Sequence, residues 1–325
     1  MGIGATPPRV WAVHDGKVGM ASQVLGLAEA VGFPFVEKRL AIRAPWSHLM
    51  PPLWLNPLAA LGPEGDRLEP PWPDLLISCG RNTVAPAQAV KRASGGRTFW
   101  AHIQDPRFGR DRADLLVVPQ HDPAKGANVV TTLGAVHRVT AARLAAEARR
   151  LAPRFAHLPR PLVAVLIGGD NKAYRLTRER QETLADQLAA LARSGVGLAI
   201  TPSRRTGSGI AALLAGRLDE RAVIWDGRGD NPYFAMLGLA DAIVVTADSV
   251  NMVSEAAATG KPVHIVALEG GSAKFARFHR AMEEAGITRP FRGTIETWTY
   301  TAPDDAARVA VIIRDRLAQR RAEVA

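Results

Sequence analysis

Small polar side chains crowd the stretch Thr246-Ala247-Asp248-Ser249-Val250-Asn251. It lies between a β-branched run, Ile243-Val244-Val245, and a helical pattern carried by Met252, Glu255, Ala256 and Thr259. The apolar run has the character of a parallel strand covered on both faces, and Gly260-Lys261-Pro262 stops the helix. A helix that starts there offers unpaired backbone N–H groups and the positive end of its dipole. An anion such as a nucleotide diphosphate would be held with little side-chain charge. Asp248, Ser249, Asn251 and Met252 stand at that start, and Glu255, about one turn further in, is placed to reach a ribose hydroxyl. The same residues also fit a plain helix cap, with Asp248 or Ser249 capping and Glu255 completing a capping-type arrangement.

Comparable clusters close other apolar runs. In the second half of the chain they are Gly168-Gly169-Asp170-Asn171-Lys172, then Thr201-Pro202-Ser203-Arg204-Arg205-Thr206-Gly207, then Asp226-Gly227-Arg228-Gly229-Asp230-Asn231. In the first half they are His14-Asp15-Gly16-Lys17, Gly80-Arg81-Asn82-Thr83 and Gln104-Asp105. Helix caps explain some of these residue types. They do not explain Arg204-Arg205 at the same edge as two glycine-rich turns. An arginine fork grips phosphate oxygens, and glycine lets the backbone approach a pyrophosphate. The competing explanation is a solvated loop charge. Asp15 and Asp105 are the candidate general bases for an acceptor hydroxyl, with His14, Gly16, Lys17, Arg81, Asn82 and Gln104 around them. His14 equally fits a core histidine, and His102, flanked by apolar residues, fits one better. With no H-E-x-x-H, no cysteine pair and no close carboxylate repeat, metal ligation is not expected. Nor is there a G-x-S-x-G nucleophile elbow.

The elements that must carry these loops follow from periodicity. Strands are expected at 9–15, 35–40, 74–80, 98–104, 115–118 and 129–133, with helices between them and an Ala/Arg-rich helix over 140–157. Pro159-Arg160-Pro161 then breaks the chain. Further strands are expected at 162–167, 196–201, 222–225, 242–245 and 263–266, with helices over 177–194, 208–218, 232–239, 249–259 and 272–285. An amphipathic helix over about 304–322 closes the chain. Alternation at this pitch implies parallel sheets. Hence the expectation is two doubly wound α/β domains, 1–158 and 159–300, followed by a last helix within 301–325. In such sheets ligands bind beyond the carboxyl ends of the strands, where the polar clusters lie. The turn at 16–19 is neither a Walker phosphate loop nor a G-x-G-x-x-G fingerprint.

Residues 45–73 hold three of the seven tryptophans and many prolines, too broken for one helix, so short helical turns are expected. Such a surface packs on its own domain or meets a lipid-linked acceptor, a protein partner or a membrane. The formal charge of +10 favours anionic partners, yet no Lys/Arg block resembles a nucleic-acid tail. Nucleic acid is therefore not an expected partner. Cys79 is the single cysteine, which excludes an intramolecular disulfide and fits a reducing compartment. Neither a secretory leader nor an 18-residue apolar run is visible. The expected localisation is cytoplasmic, with peripheral contact at the inner membrane face as an option.

The motifs WAVHDGKVGMASQVLGLAEAVG, ISCGRNTVAPA, HIQDPR, IGGDNKAYRLT, TPSRRTG and DNPYFAMLGLADAIVVTADSVNMVSEAAATGKPV together resemble the family named after the plant elongated-mitochondria fission factor. The resemblance covers nearly the whole chain. It implies a fold similar to GT-B glycosyltransferases: two Rossmann-like domains facing a cleft, with the last helix crossing back to the first. The stretch 246–262 resembles the nucleotide-sugar site of the lipid-linked N-acetylglucosaminyl transferase group and of nucleotide-sugar 2-epimerases. The function expected is binding of a nucleotide-diphosphate sugar in the second domain and transfer to an acceptor held by the first, with no metal and no cofactor besides that substrate. Two alternatives stand beside it. One is sugar epimerisation at the same loops. The other is a non-catalytic scaffold that recruits a partner protein at a membrane, the role described for plant members.

Overall fold

The computed structural model describes residues 6–218 and 220–324. The chain forms two compact units. The first holds β1 (Val10–His14), α1 (Val18–Val31), β2 (Phe35–Arg39), β3 (Leu75–Cys79), α2 (Arg81–Ala93), β4 (Phe99–Ile103), β5 (Leu115–Pro119) and β6 (Val129–Thr132). All six strands are parallel, in the order β2-β1-β3-β4-β5-β6.

Side chains alternate across this sheet, and both faces are covered, as the continuous apolar runs require. Val10, Ala12, Leu75 and Ile77 face Val24, Leu27 and Val31 of α1. Trp11, Val13, Leu76 and Trp100 face Val84, Ala87 and Val90 of α2. The Trp/Pro segment forms two short 3-10 turns, Trp46–His48 and Pro51–Leu53. Trp54 is buried with Ala60 and Ala85, and Trp72 meets Trp11 edge-on at 6.3 Å. By contrast Leu49, Met50, Leu53 and Leu55 are exposed.

The second unit begins with α3 (Ala141–Leu151) and continues through β7 (Leu162–Ile167), β8 (Tyr174–Arg175), α4 (Arg178–Arg193), β9 (Gly197–Pro202), α5 (Ser208–Arg217), β10 (Ala222–Ile224), α6 (Tyr233–Leu239), β11 (Ala242–Thr246), α7 (Val250–Ala257), β12 (Val263–Val266), β13 (Glu269–Gly270), α8 (Ala273–Glu284) and β14 (Thr288–Pro290). Its main sheet is also parallel, ordered β10-β9-β7-β11-β12-β14, while β8 and β13 form a small antiparallel pair. The last helix, α9 (Asp305–Val324), returns to the first unit and packs on α1, burying Val309, Ile313 and Leu317.

The boundary differs from the sequence expectation. It falls between Arg138 and Val139 rather than at 158/159, because α3 packs on α6. The approach is close enough that a Cβ at Gly238 would stand 2.7 Å from the Leu144 carbonyl oxygen. Three short strands went unforeseen, β8, β13 and β14, each only two or three residues long. Among the described residues no helix is long and apolar enough to cross a membrane.

Candidate functional site

Strand order fixes where loops diverge. Along the second unit's main sheet the strands, numbered by appearance, read third, second, first, fourth, fifth, sixth. The direction of winding therefore reverses between β7 and β11. In the first unit it reverses between β1 and β3. Crevices at such reversals are where open α/β sheets hold ligands. The loops that leave these four strands carry Gly168-Gly169-Asp170-Asn171, Asp248-Ser249, His14-Asp15 and Gly80-Arg81-Asn82.

In the second unit Asp248 ties the loops together. Its side chain is fully buried and accepts from the Gly169 amide at 3.0 Å, from Thr246 Oγ1 at 2.6 Å and from Arg205 Nη2 at 2.7 Å. Thr246 Oγ1 in turn accepts from the Gly168 amide at 2.7 Å. Thr206 donates to backbone carbonyls of Ile167 and Gly168. Asn171 Nδ2 donates to the Asp248 carbonyl at 3.0 Å, while its Oδ1 takes the amides of Ala173 and Tyr174. Ser203 Oγ lies 3.0 Å from Thr206 Oγ1 and accepts the Arg205 amide, and Asp170 Oδ1 accepts the Leu176 amide.

Most of the expected ligand-binding side chains therefore shape the loop backbone. The glycines likewise serve the close approach of loop to loop. A Cβ at Gly168 would stand 2.1 Å from Asp248 Oδ1, and one at Gly169 would stand 2.1 Å from the Arg205 carbonyl oxygen. The arginine pair divides. Arg205 is committed to Asp248, whereas Arg204 is exposed and its side chain has no hydrogen bond or ion pair among the described residues. Lys172 is exposed in the same way on the neighbouring loop.

At the start of α7 the cap is Ser249, whose Oγ accepts the Met252 amide at 3.3 Å. Asn251 lies in the first turn, half-buried. Glu255 is buried and accepts the Tyr233 hydroxyl at 2.6 Å. Burial and then the Glu255 charge push the Tyr233 hydroxyl well above its ordinary pKa, so it stays a donor. His279 Nε2 donates to the Ala247 carbonyl at 2.8 Å. Burial lowers its pKa, against the opposing effect of that bond. Sequence reading missed Tyr233 and His279 as parts of this site, since nothing local marks a residue that acts through partners 22 or 32 positions away.

In the first unit Asp15 is the corresponding carboxylate. Its Oδ2 takes Asn82 Nδ2 at 3.1 Å and pairs with Lys17, while Oδ1 is buried without a hydrogen-bond partner. His14 is buried: the Gly16 amide donates to Nδ1 at 3.0 Å, so Nε2 carries the proton and donates to Glu37 at 2.8 Å. Arg81 is exposed as the first residue of α2.

Asp105 stands differently. Arg110 holds both its oxygens, at 2.7 and 2.6 Å, and the Arg107 amide adds 2.8 Å. Burial raises its pKa, but these hydrogen bonds outweigh that and hold it below the usual carboxylate range. A carboxylate so committed is a poor base. Gln104, with φ of 77°, reaches Gln23 at 3.4 Å. His102 is a core residue, bonded to Ser78 Oγ at 2.8 Å and driven by burial to a pKa of about 3. Among the described residues no group of three His, Cys, Asp or Glu side chains is placed to hold a metal ion.

Comparison with known proteins places the chain. Residues 18–317 match the family described as Mitochondrial fission ELM1. A mitochondrial fission protein ELM1 of Arabidopsis thaliana is 33% identical over 277 residues, which span 76% of this chain and 65% of that protein. An uncharacterized protein of Rickettsia prowazekii is 31% identical over 283 residues, 74% of this chain and 79% of its own length. Among solved structures, the UDP-GlcNAc 2-epimerase of Methanocaldococcus jannaschii superposes with a TM-score of 0.53 at 11% identity, covering 94% of this chain and 99% of that one. The Neisseria meningitidis enzyme of that name, bound to UDP-GlcNAc, gives 0.50 at 13%, covering 96% and 100%. These likenesses establish the fold, two Rossmann-like α/β domains of the GT-B type. By the extent of the sequence match, the chain belongs to the mitochondrial fission ELM1 family.

Proposed function

We propose that the second unit binds a nucleoside-diphosphate sugar where its strand order reverses and that the protein transfers the sugar to an acceptor hydroxyl. The observation that carries this reading is the Asp248 network. It fixes three loops at the reversal point and leaves Arg204 and Lys172 exposed, with the start of α7 half-buried. A preorganised set of amides and cations stabilises a departing diphosphate without reorganising during reaction. Glu255, held by Tyr233, takes the ribose.

Asp15 is the proposed base, on the strength of its unpartnered oxygen. It accepts the acceptor's proton, the acceptor oxygen bonds the anomeric carbon, and the bond to the diphosphate breaks. In this reading no metal and no cofactor besides the nucleotide sugar is needed. Epimerisation would use the same donor loops.

The exposed cluster Leu49, Met50, Leu53 and Leu55 favours a second reading, a scaffold that docks a partner. A panel of nucleoside diphosphates and their sugar conjugates in thermal-shift assays decides between them. At about 100 times Kd the bound nucleotide should add ~2.7 kcal/mol of stability. No shift with any member of the panel, in folded protein, defeats the donor-site reading.

A further inference from the structure

At the edge of the first unit's sheet opposite Asp15, Arg9 leads into β1 and Asp74 into β3. There a cavity of about 530 Å³ opens, walled also by Trp72, Arg97, Arg320 and Arg321. Four arginines meet one carboxylate at this wall, and that carboxylate already accepts the Arg9 amide at 2.7 Å. Arg320 is neutralised from behind by Asp114. Among the described residues the side chains of the other three have no carboxylate partner: those of Arg9 and Arg321 donate to backbone carbonyls, of Trp72 at 3.3 Å and of Thr6 at 2.8 Å. Arg97 is exposed, and its side chain has no hydrogen bond or ion pair among the described residues. Guanidinium groups gathered around one cavity repel each other unless an anion lies between them, and their forked donors match phosphate oxygens.

We propose that this cavity is an anion site for a small ligand bearing a phosphate or diphosphate. Arg97 and Arg321 grip its oxygens, and the Trp72 ring and the neighbouring prolines wall its body. The site is separate from the nucleotide reading above. It lies at the opposite end of five-residue strands, about 15 Å from Asp15 at ~3.3 Å per residue. Because Arg320 and Arg321 come from the last turns of α9, an occupant ties the end of α9 to the start of β1.

The test uses the full-length chain and inorganic diphosphate, read by calorimetry and by hydrogen exchange. Saturable binding with slowed exchange over 314–321 is expected. Arg97→Ala should weaken the diphosphate-dependent protection of 314–321 about tenfold or more and Arg97→Lys should restore part of it, while Arg204→Ala, which removes the second unit's proposed diphosphate contact, leaves that protection unchanged. The Arg97 side chain holds no part of the fold, so its removal reports on the ligand and not on stability. The proposal is overturned if saturating diphosphate leaves exchange over 314–321 unslowed in folded protein, or if that protection is lost in Arg204→Ala with Arg97→Ala unaffected. Vesicles of phosphatidylglycerol form a separate arm. Binding to them and not to diphosphate overturns it too.

Discussion

Asp248 turns an adjacent pair of arginines into two different residues. Arg205 completes a buried carboxylate, so Arg205→Ala should cost about 1.5–3 kcal/mol of stability, the range for hydrogen bonds to charged groups. Arg204→Ala should change stability by no more than about 0.5 kcal/mol. In the proposed site it should nevertheless weaken nucleoside-diphosphate affinity about tenfold. Urea unfolding and calorimetry of the two variants separate these outcomes, and an equal effect on affinity from both would remove the distinction. His102 makes stability depend on pH. Its folded pKa of about 3 lies below the usual 6.5, so the unfolded chain binds more protons in acid. The stability is therefore complete above about pH 6.5 and falls as pH drops, by about 2 kcal/mol at pH 5. His264 and His279, also lowered by burial, act in the same direction. In His102→Gln the slope of stability between pH 7 and 5 should be shallower, and an unchanged slope would assign it elsewhere.

Strand-to-loop transitions were the legible elements. A fully apolar run such as Ile243-Val244-Val245 followed by small polar residues has one sensible reading, and it located the strands and polar loops that meet at the reversal points, though not the strand order that makes them reversals. What each polar side chain does there was not legible. Asp170, Asn171 and Ser203 have the residue types of a ligand site and of a loop clasp alike, and only the partner across the sheet decides. The Trp/Pro segment shows the same limit. Its tryptophans suggested an apolar surface, but Trp54 is buried on Ala85 of α2, while Leu53 and Leu55 point outward. Trp54→Ser should therefore cost about 3–5 kcal/mol. The pair Leu53→Ser and Leu55→Ser should leave stability within about 0.5 kcal/mol and reduce binding to anionic liposomes or to a partner. Thermal unfolding beside a liposome sedimentation assay checks both halves. A docking role is lost if the leucine variants bind as well as the parent.

For the whole molecule, charge and architecture pull in one direction. A net charge of +10 raises the local concentration of anions around two sheets whose reversal points end in uncommitted cations or helix starts. The extent of nucleotide or diphosphate binding should therefore fall as ionic strength rises from about 0.05 to 0.5 M, a trend that calorimetry at several salt concentrations reads directly. The first unit is also discontinuous in sequence: Val24, Leu27 and Val31 of α1 find their cover in Val309, Ile313 and Leu317 of α9. During synthesis the amino-terminal sheet emerges long before the helix that seals it, and it must wait with an oily flank open while the second unit, contiguous in sequence, closes first. A chain that stops at residue 303 should consequently emerge with one half folded and the other prone to clumping, a fate to be read from limited proteolysis of nascent or truncated protein.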